Sequence, residues 1–217
     1  MDVGKWMTKD PITVQRSTSL FDAINLMKEK NIRRLPVMEG GRLVGIVTRT
    51  DLLKAAPSEA TTLSVFELKH LLAHKAVEEL MIPNPHTVTP DTPIEVAALL
   101  MSSFKIGALP VTEKGKLVGI ITESDIFEAF VEIMAIREEG LRFIVEMEDK
   151  PGELAEALGI IKKHGINIMS IATCKGNKEG YKLVNLRLKA KKPRAIAKEL
   201  KELGYGVTWR KEPGAHL

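Results

Sequence analysis

The chain has 217 residues, comfortable for two domains at roughly 100 to 200 residues each, and its 44% hydrophobic and 28% charged residues are those of a globular protein with a real core. Its net charge of +4 comes from 32 basic residues interleaved with 28 acidic ones, and aromatics are only 5%, which disfavours the concentrated basic face and stacking rings of a nucleic-acid binder. No apolar run approaches the roughly 20 residues that span a bilayer, residues 1–10 lack the apolar core of a signal peptide, and the single cysteine, Cys174, excludes an internal disulfide. A cytoplasmic protein of a reducing compartment is expected.

Met7 to Val14 opens the chain's first unit, in which Pro11-Ile12-Thr13-Val14 reads as a short extended segment led by a proline. Ser17, Thr18 and Ser19 then offer cap oxygens to a helix whose apolar face is Leu20, Ala23, Ile24 and Met27, spaced at i, i+3, i+4 and i+7. A strand at Leu35-Pro36-Val37, a turn on Gly40-Gly41 and a strongly apolar strand from Leu43 to Val47 follow, and a new helix begins near Thr48. Ala55-Ala56-Pro57-Ser58 breaks the chain, and Leu63 to Met81 reads as a helix carrying His70 and His74 at i, i+4. That spacing suits a metal, but no third ligand is near, so two solvated histidines are expected.

The whole unit then returns. LPVMEGGRLVGIVTRTDLL (35–53) comes back as LPVTEKGKLVGIITESDIF (109–127) at a constant offset of 74 positions, and the register holds back to Pro11/Pro85 and Thr13/Thr87. In the second copy Thr92 is the expected N-cap, with Pro93 at the first helical position and Glu95 behind it. Each copy is strand, helix, strand, strand, helix, too small to bury its own sheet, so the copies should pair. The last helix runs from Asp125 to about Ile136. Beyond Gly140 come a strand (Leu141 to Met147), a helix after Asp149-Lys150-Pro151-Gly152 with Leu154, Leu158 and Ile161 inward, and a strand to Lys175. A loop at 176–180, a strand (Tyr181 to Lys189), a helix (Pro193 to Leu203) and a strand (Tyr205 to Arg210) complete a βαββαβ, ferredoxin-like order. The expected domains are 1–54 (first repeat), 55–78 (helical connector), 79–136 (second repeat), 141–211 and a flexible tail at 212–217.

The chemistry is concentrated in Gly-hydrophobic-hydrophobic-Thr-x-x-Asp, Gly45 to Asp51 and Gly119 to Asp125. At a strand end where a helix starts, backbone N–H groups and the helix dipole favour a phosphate. Thr48 and Thr122 carry hydroxyl donors for it, and Asp51 and Asp125 can accept both hydrogen bonds of a ribose diol. The same spacing is also a helix capping box, and the duplication does not separate the two readings. No glycine-rich phosphate loop, nucleophile elbow or catalytic cluster occurs, so no enzymatic activity is expected. Cys174 is expected as a buried, inert thiol, and Trp6 as a packing residue under the first sheet.

Met-Thr-x-x-Pro-x-Thr-Val (7–14), the Leu-Pro-Val strands and Gly-h-h-Thr-x-x-Asp together closely resemble a tandem pair of CBS domains, a Bateman module, over residues 1 to about 135. The resemblance implies an α+β fold in which two β-α-β-β-α repeats pack as a pseudo-twofold pair. It also implies clefts for an adenosine ligand, AMP, ADP, ATP or S-adenosylmethionine, with no cofactor required. Ribose and phosphate would meet Asp51, Thr48, Asp125 and Thr122, and the base would lie against Thr13, Thr87 and the stretches Ile32 to Pro36 and Ile106 to Pro110. Arg33, Arg34 and Arg49 stand where the second copy has Gly107, Ala108 and Glu123. The Asp51 site is therefore expected to be basic and to take the more phosphorylated ligand, and the Asp125 site to be nearly neutral.

Asp149-Lys-Pro-Gly152-Glu153-Leu154 and Gly165-Ile-Asn167-Ile168 resemble an ACT domain. That implies a homodimer and an amino-acid site at Asp149, Gly152, Glu153, Leu154, Asn167 and Ile168, where Asp149 replaces a commoner Asn. The order CBS, CBS, ACT is similar to that of the acetoin-utilisation accessory proteins, a label that names a pathway and no chemistry. A ligand-free dimerisation adaptor is the alternative function; a nucleic-acid binder is the weaker one.

Overall fold

In the computed structural model residues 1–55 and 72–212 are described, in two compact units, Met1–Ile126 and Phe127–Leu217. In the first unit the elements are α1 (Val3–Trp6), β1 (Thr8–Lys9), β2 (Val14–Gln15), α2 (Leu20–Glu29), β3 (Arg34–Glu39), β4 (Arg42–Thr48) and α3 (Arg49–Ala55). A 3-10 turn (Val77–Glu79), β5 (Ile82–Pro83), α4 (Ile94–Phe104), β6 (Ala108–Glu113), β7 (Lys116–Thr122) and α5 (Glu123–Ile133) follow, the last of these running on into the second unit. The 74-residue offset is kept in three dimensions: Leu20, Ala23, Met27, Leu35, Val37 and Val47 are buried, and so are their counterparts Ile94, Ala97, Met101, Leu109, Val111 and Ile121.

The sheets do not follow the linear repeats. β1 of the first copy pairs antiparallel with β7 of the second (Thr8↔Ile120, Lys9↔Gly119), while β5 pairs with β4 (Gly45↔Pro83, Ile46↔Ile82). Each leading segment has crossed to its twin's sheet, giving the orders β1-β7-β6 and β2-β3-β4-β5. Glycine makes the crossing fit. A Cβ on Gly119 would lie 2.5 Å from Met7 Sδ and 3.1 Å from the Thr8 carbonyl, and one on Gly45 would lie 2.6 Å from Met81 Sδ and 3.2 Å from the Ile82 carbonyl. Ile46, Ala108 and Ile120 close the seam between the copies.

Several expectations are corrected. Of Pro11 to Val14 only Val14 is in a strand, pairing in β2 with Val37 of β3; Thr8–Lys9 form β1, and Asp10 turns the chain at φ 46, as Asn84 does at φ 48. The N-cap of α4 is Pro93, and Thr92 Oγ1 instead accepts from the Thr89 N–H. Residues 56–71 of the expected connector helix, His70 among them, lie outside the described residues. From His74 the chain is not α-helical: Leu20 N–H donates to Lys75 O, Val77 N–H to Thr18 O and Glu78 N–H to Arg16 O, so backbone partners in the turn before α2 replace helical ones. Val77 is thereby buried in the first repeat's core. Trp6 is half-buried at the end of α1, with the Lys5 ammonium 4.7 Å over its ring.

The second unit is β8 (Gly140–Glu148), α6 (Glu153–Lys163), β9 (Asn167–Lys175), β10 (Tyr181–Lys189), α7 (Pro193–Glu202) and β11 (Gly206–Glu212), in the sheet order β11-β8-β10-β9 of a ferredoxin-like fold. Leu141, Phe143, Val145 and Met147 alternate inward against Ala157, Ile161, Ile196 and Leu200. On the opposite face Arg187 is only 6% exposed, because its guanidinium donates to the carbonyls of Ile136 and Glu138 and to Glu212. Glu212, expected to fray, is the last residue of β11 and lies within ion-pair distance of Arg142, Arg187 and Arg210; residues 213–217 lie outside the described residues. Cys174 is exposed on β9, correcting the buried-thiol expectation.

Candidate functional site

Two cavities flank the seam of the first unit, one of about 650 Å³ and one of about 410 Å³, within the range of small-ligand sites. The larger has Thr48, Arg49, Thr50 and Asp51 from the start of α3 on one side and Ile82 to His86 and Lys105 to Ala108 from the second repeat on the other, with Arg33 and Arg34 between. The smaller is its counterpart: Thr122 and Ser124 from the start of α5 face Asp10 to Ile12, Asn31 to Arg34 and Pro36. The crossing of β1 and β5 explains this. Each leading segment is carried over to the helix start of the other copy.

The capping reading of Thr-x-x-Asp is realised in both copies. Thr48 Oγ1 donates to Asp51 Oδ2 at 2.6 Å, the Thr48 N–H reaches the same oxygen at 3.3 Å, and the Asp51 N–H returns to Thr48 Oγ1 at 3.3 Å, a reciprocal cap. In the second copy the Thr122 N–H and hydroxyl both donate to Asp125 Oδ2 at 2.7 Å. The threonine hydroxyl protons are thus committed to the aspartates, and among the described residues the side-chain hydrogen bonds of both aspartates use Oδ2. Each Oδ1 keeps acceptor capacity for a diol. The N–H of Arg49 donates to the Arg33 carbonyl at 2.8 Å and that of Glu123 to the Gly107 carbonyl at 3.1 Å. Anion-binding capacity at the helix starts therefore shifts to the next residues, Thr50 and Ser124, which line their cavities and which the motif reading missed.

Of the residues singled out in the sequence, Arg33, Arg34, Thr48, Arg49, Asp51, Ile106 and Gly107 meet at the larger cavity, and Ile32, Arg33, Arg34, Pro36 and Thr122 at the smaller. Thr13, Thr87, Pro110 and Asp125 are not on these walls; Asp125 sits one hydrogen bond behind Thr122. The contrast between a basic and a neutral pocket takes a different form, because Arg33 and Arg34 line both. The larger cavity remains the more cationic, adding Arg49 and Lys105 to that pair against Asp51, while the smaller sets the pair against Asp10.

Lys105 and Asn31 are equivalent positions, and both hold the left-handed conformation (φ 57 and 52) that ends α4 and α2. Asn tolerates that backbone and Lys does so at a cost. His86, at the mouth of the larger cavity, stacks on Phe104 with ring centroids 3.9 Å apart.

In the second unit Asp149 is exposed, its carboxylate 3.1 Å from the Lys182 ammonium. Gly152 caps α6 at φ 95, and Glu153 is the first residue of that helix. Leu154 and Ile168 pack on the core, and Asn167 opens β9 in the open. Among the described residues no group of three or more His, Cys, Asp or Glu could hold a metal, and no described helix is long and apolar enough to cross a membrane.

The chain thus joins a duplicated α/β unit with paired clefts at its seam to a ferredoxin-like domain. The chain belongs to the CBS-domain family, which matches residues 2–58 and 77–132, and residues 139–209 match the TTHA0829-like ACT domain. A structure described as a putative acetoin utilization protein (AcuB) from Vibrio cholerae is similar at 33% identity and TM-score 0.52, covering 63% of this chain and 94% of that one. CBSX2 of Arabidopsis thaliana, solved in complex with AMP, is 35% identical with TM-score 0.52 over 61% of this chain and 97% of its own. The CBS pair of protein MJ0100, solved with 5'-methylthioadenosine and S-adenosyl-L-methionine, is 31% identical with TM-score 0.50 over 60% and 95%. Among curated relatives, an inosine-5'-monophosphate dehydrogenase of Korarchaeum cryptofilum is 35% identical over 153 residues, 70% of this chain but only 29% of that protein's length.

Proposed function

We propose that this protein is a regulatory sensor whose CBS pair binds an adenosine nucleotide, AMP, ADP, ATP or S-adenosylmethionine, and that it is not itself an enzyme. The observation that carries the reading is the composition of the two cavities, each joining a Thr-x-x-Asp helix start from one repeat to proline-rich, apolar loops from the other. In the larger cavity the Asp51 carboxylate accepts from the ribose diol. Arg33, Arg34, Lys105 and the Thr50 hydroxyl hold phosphate, and the base lies against Ile82, Pro83, Pro85 and Ile106, with the His86–Phe104 stack at the rim. The smaller cavity offers Thr122, Ser124, Asn31 to Arg34 and Pro36 to a second ligand, with Asp125 one hydrogen bond behind Thr122. Similar proteins solved with AMP and with S-adenosyl-L-methionine support the ligand class. The larger cation count of the Asp51 cavity makes it the site for the more phosphorylated ligand.

The ACT domain contributes dimerisation, and amino-acid sensing around Asp149, Gly152 and Asn167 is part of the same reading. A ligand that prefers one arrangement of the CBS pair shifts the dimer toward it, and a second ligand on the ACT domain is coupled reciprocally. Phe127, Phe130 and Ile133 are 68%, 54% and 40% exposed along one side of α5, an apolar strip that suits a second copy of the chain. Titration calorimetry with the four ligands tests the proposal, with saturable binding and a raised melting temperature expected. No heat and no melting shift at millimolar ligand would leave the dimerisation adaptor as the function.

A further inference from the structure

Arg34 lines both cavities, and its guanidinium lies against Gly107. Its berth exists because residue 107 is glycine: a Cβ there would lie 2.1 Å from Arg34 Nη2 and 3.0 Å from Cζ. Gly107 belongs to the larger cavity. The carboxylate holding Arg34 there is Glu123, which opens the helix whose neighbours Thr122 and Ser124 line the smaller cavity. The contact is loose. Arg34 Nη2 is 3.8 Å from Glu123 Oε2, beyond hydrogen-bonding distance, and Glu123 is 59% exposed. A pair of this kind biases an equilibrium by about fivefold at most, so a bound phosphate, which offers charge-assisted bidentate bonds, outcompetes it.

We propose that Arg34 is a phosphate ligand shared by the two cavities, and that it makes them bind anionic nucleotides anticooperatively. The inference rests on the nucleotide reading above and adds its regulation. With one cavity filled, the guanidinium turns to that phosphate and is withdrawn from the other cavity. Arg33 also lines both cavities, but its pseudo-symmetric position is Gly107 itself, so the pair supplies no second cation on the opposite side. Release of the second ligand then restores full affinity at the first, and the protein responds over a wider concentration range than two independent sites would.

The experiment is AMP titration calorimetry on the full chain and on Asp51→Ala and Asp125→Ala, each of which leaves one competent cavity. Anticooperativity makes the product of the two wild-type dissociation constants exceed the product of the two single-site constants by about fivefold or more. In an Arg34→Gln background that ratio returns to one. Gly107→Ala is an independent check: its methyl would stand 2.1 Å from Arg34 Nη2 and 2.6 Å from Glu123 Oε2 and displaces the guanidinium from this berth, so the ratio falls toward one, whereas general damage weakens both cavities and leaves the ratio unchanged. A wild-type ratio of one, or a ratio below one from Arg34 bridging two phosphates, overturns the inference alone. Absence of saturable AMP binding overturns the nucleotide reading and this inference with it.

Discussion

Gly119→Ala puts the crossed strands to the test. The new methyl would stand 2.5 Å from Met7 Sδ, 3.1 Å from Met7 Cγ and 3.1 Å from the Thr8 carbonyl oxygen. The thioether sits on rotatable bonds of a half-buried side chain and can swing aside. The Thr8 carbonyl cannot, because Thr8 and Lys9 are fixed to Ile120 and Gly119 in the β1–β7 ladder. A few tenths of an ångström must therefore come from the ladder itself, which places the cost in the lower part of the overpacking range, about 1–2 kcal/mol. For a chain of this size that is a fall in melting temperature of roughly 2–8 °C, and urea denaturation at constant m reads it directly. The cycle with Met7→Ala makes the argument specific. Met7→Ala alone is destabilising, and the alanine at 119 partly refills the space it leaves, so the double variant should be more stable than the sum of the singles predicts by about 1 kcal/mol. Additivity within about 0.5 kcal/mol, or a neutral Gly119→Ala, would show that the first copy's leading segment does not lie against the second copy's sheet.

Gly159→Ala is the opposite case: Gly159 lies within α6 with nothing within 4 Å of an added Cβ, so it should stabilise by about 0.5–1 kcal/mol in the same urea assay. Lys105→Asn should raise stability by about 0.5–1 kcal/mol by relieving the left-handed lysine, while weakening AMP in the larger cavity by calorimetry, because the ammonium on its wall is lost. Arg187→Met removes the donor to the carbonyls of Ile136 and Glu138 and to Glu212, and should cost about 3–5 kcal/mol, read as early unfolding of the Phe127–Leu217 unit by hydrogen exchange. Burial, helped by hydrogen bonds to Glu153 and Glu156, pushes the Tyr205 phenol well above its ordinary value. A raised folded pKa means that the stabilisation is complete below the unfolded value, near pH 10, and is lost as pH rises from there toward the folded value. Stability should therefore fall above about pH 10, and Tyr205→Phe should flatten that limb of the urea midpoint against pH.

The fold was legible wherever periodicity and duplication carry it. Leu20, Ala23 and Met27 announce α2, Leu141 to Met147 alternate as β8 does, and the βαββαβ order follows from turn signals at Gly152, Gly165 and 176–180. Where the reading failed, tertiary pairing overrode local pattern. Val77 and Leu80 continue an apolar helical stripe, but the backbone at 75–78 had better partners in the turn at 16–20, and a stripe is silent about competing hydrogen bonds. Thr92 has the chemistry of a cap, yet its hydroxyl is already the acceptor for Thr89, one turn upstream.

The site shows the limit more sharply. A linear repeat invites the assumption that Arg33, Arg34 and Asp51, being of one copy, form one pocket, and that Gly107, Ala108 and Asp125 form the other. That assumption requires each copy to fold on itself. Gly45 and Gly119 argue otherwise, since a glycine repeated in the middle of an apolar strand marks a close approach by another segment, and the segments that approach are Met81 and Met7, each from the other copy. Once the leading segments cross, every cavity is a joint product of both repeats, and a residue near the axis, such as Arg34, belongs to both. Arg33, Arg34 and Arg49 are conspicuous in the sequence; the loose contact between Arg34 and Glu123, which joins one copy to the other, is not. Charge asymmetry between copies is thus not charge asymmetry between sites. The charged residues that line one cavity and not the other, Arg49, Asp51 and Lys105 for the larger and Asp10 for the smaller, make the two sites differ, and those are the positions at which exchange of residues between copies should exchange the preference for phosphate.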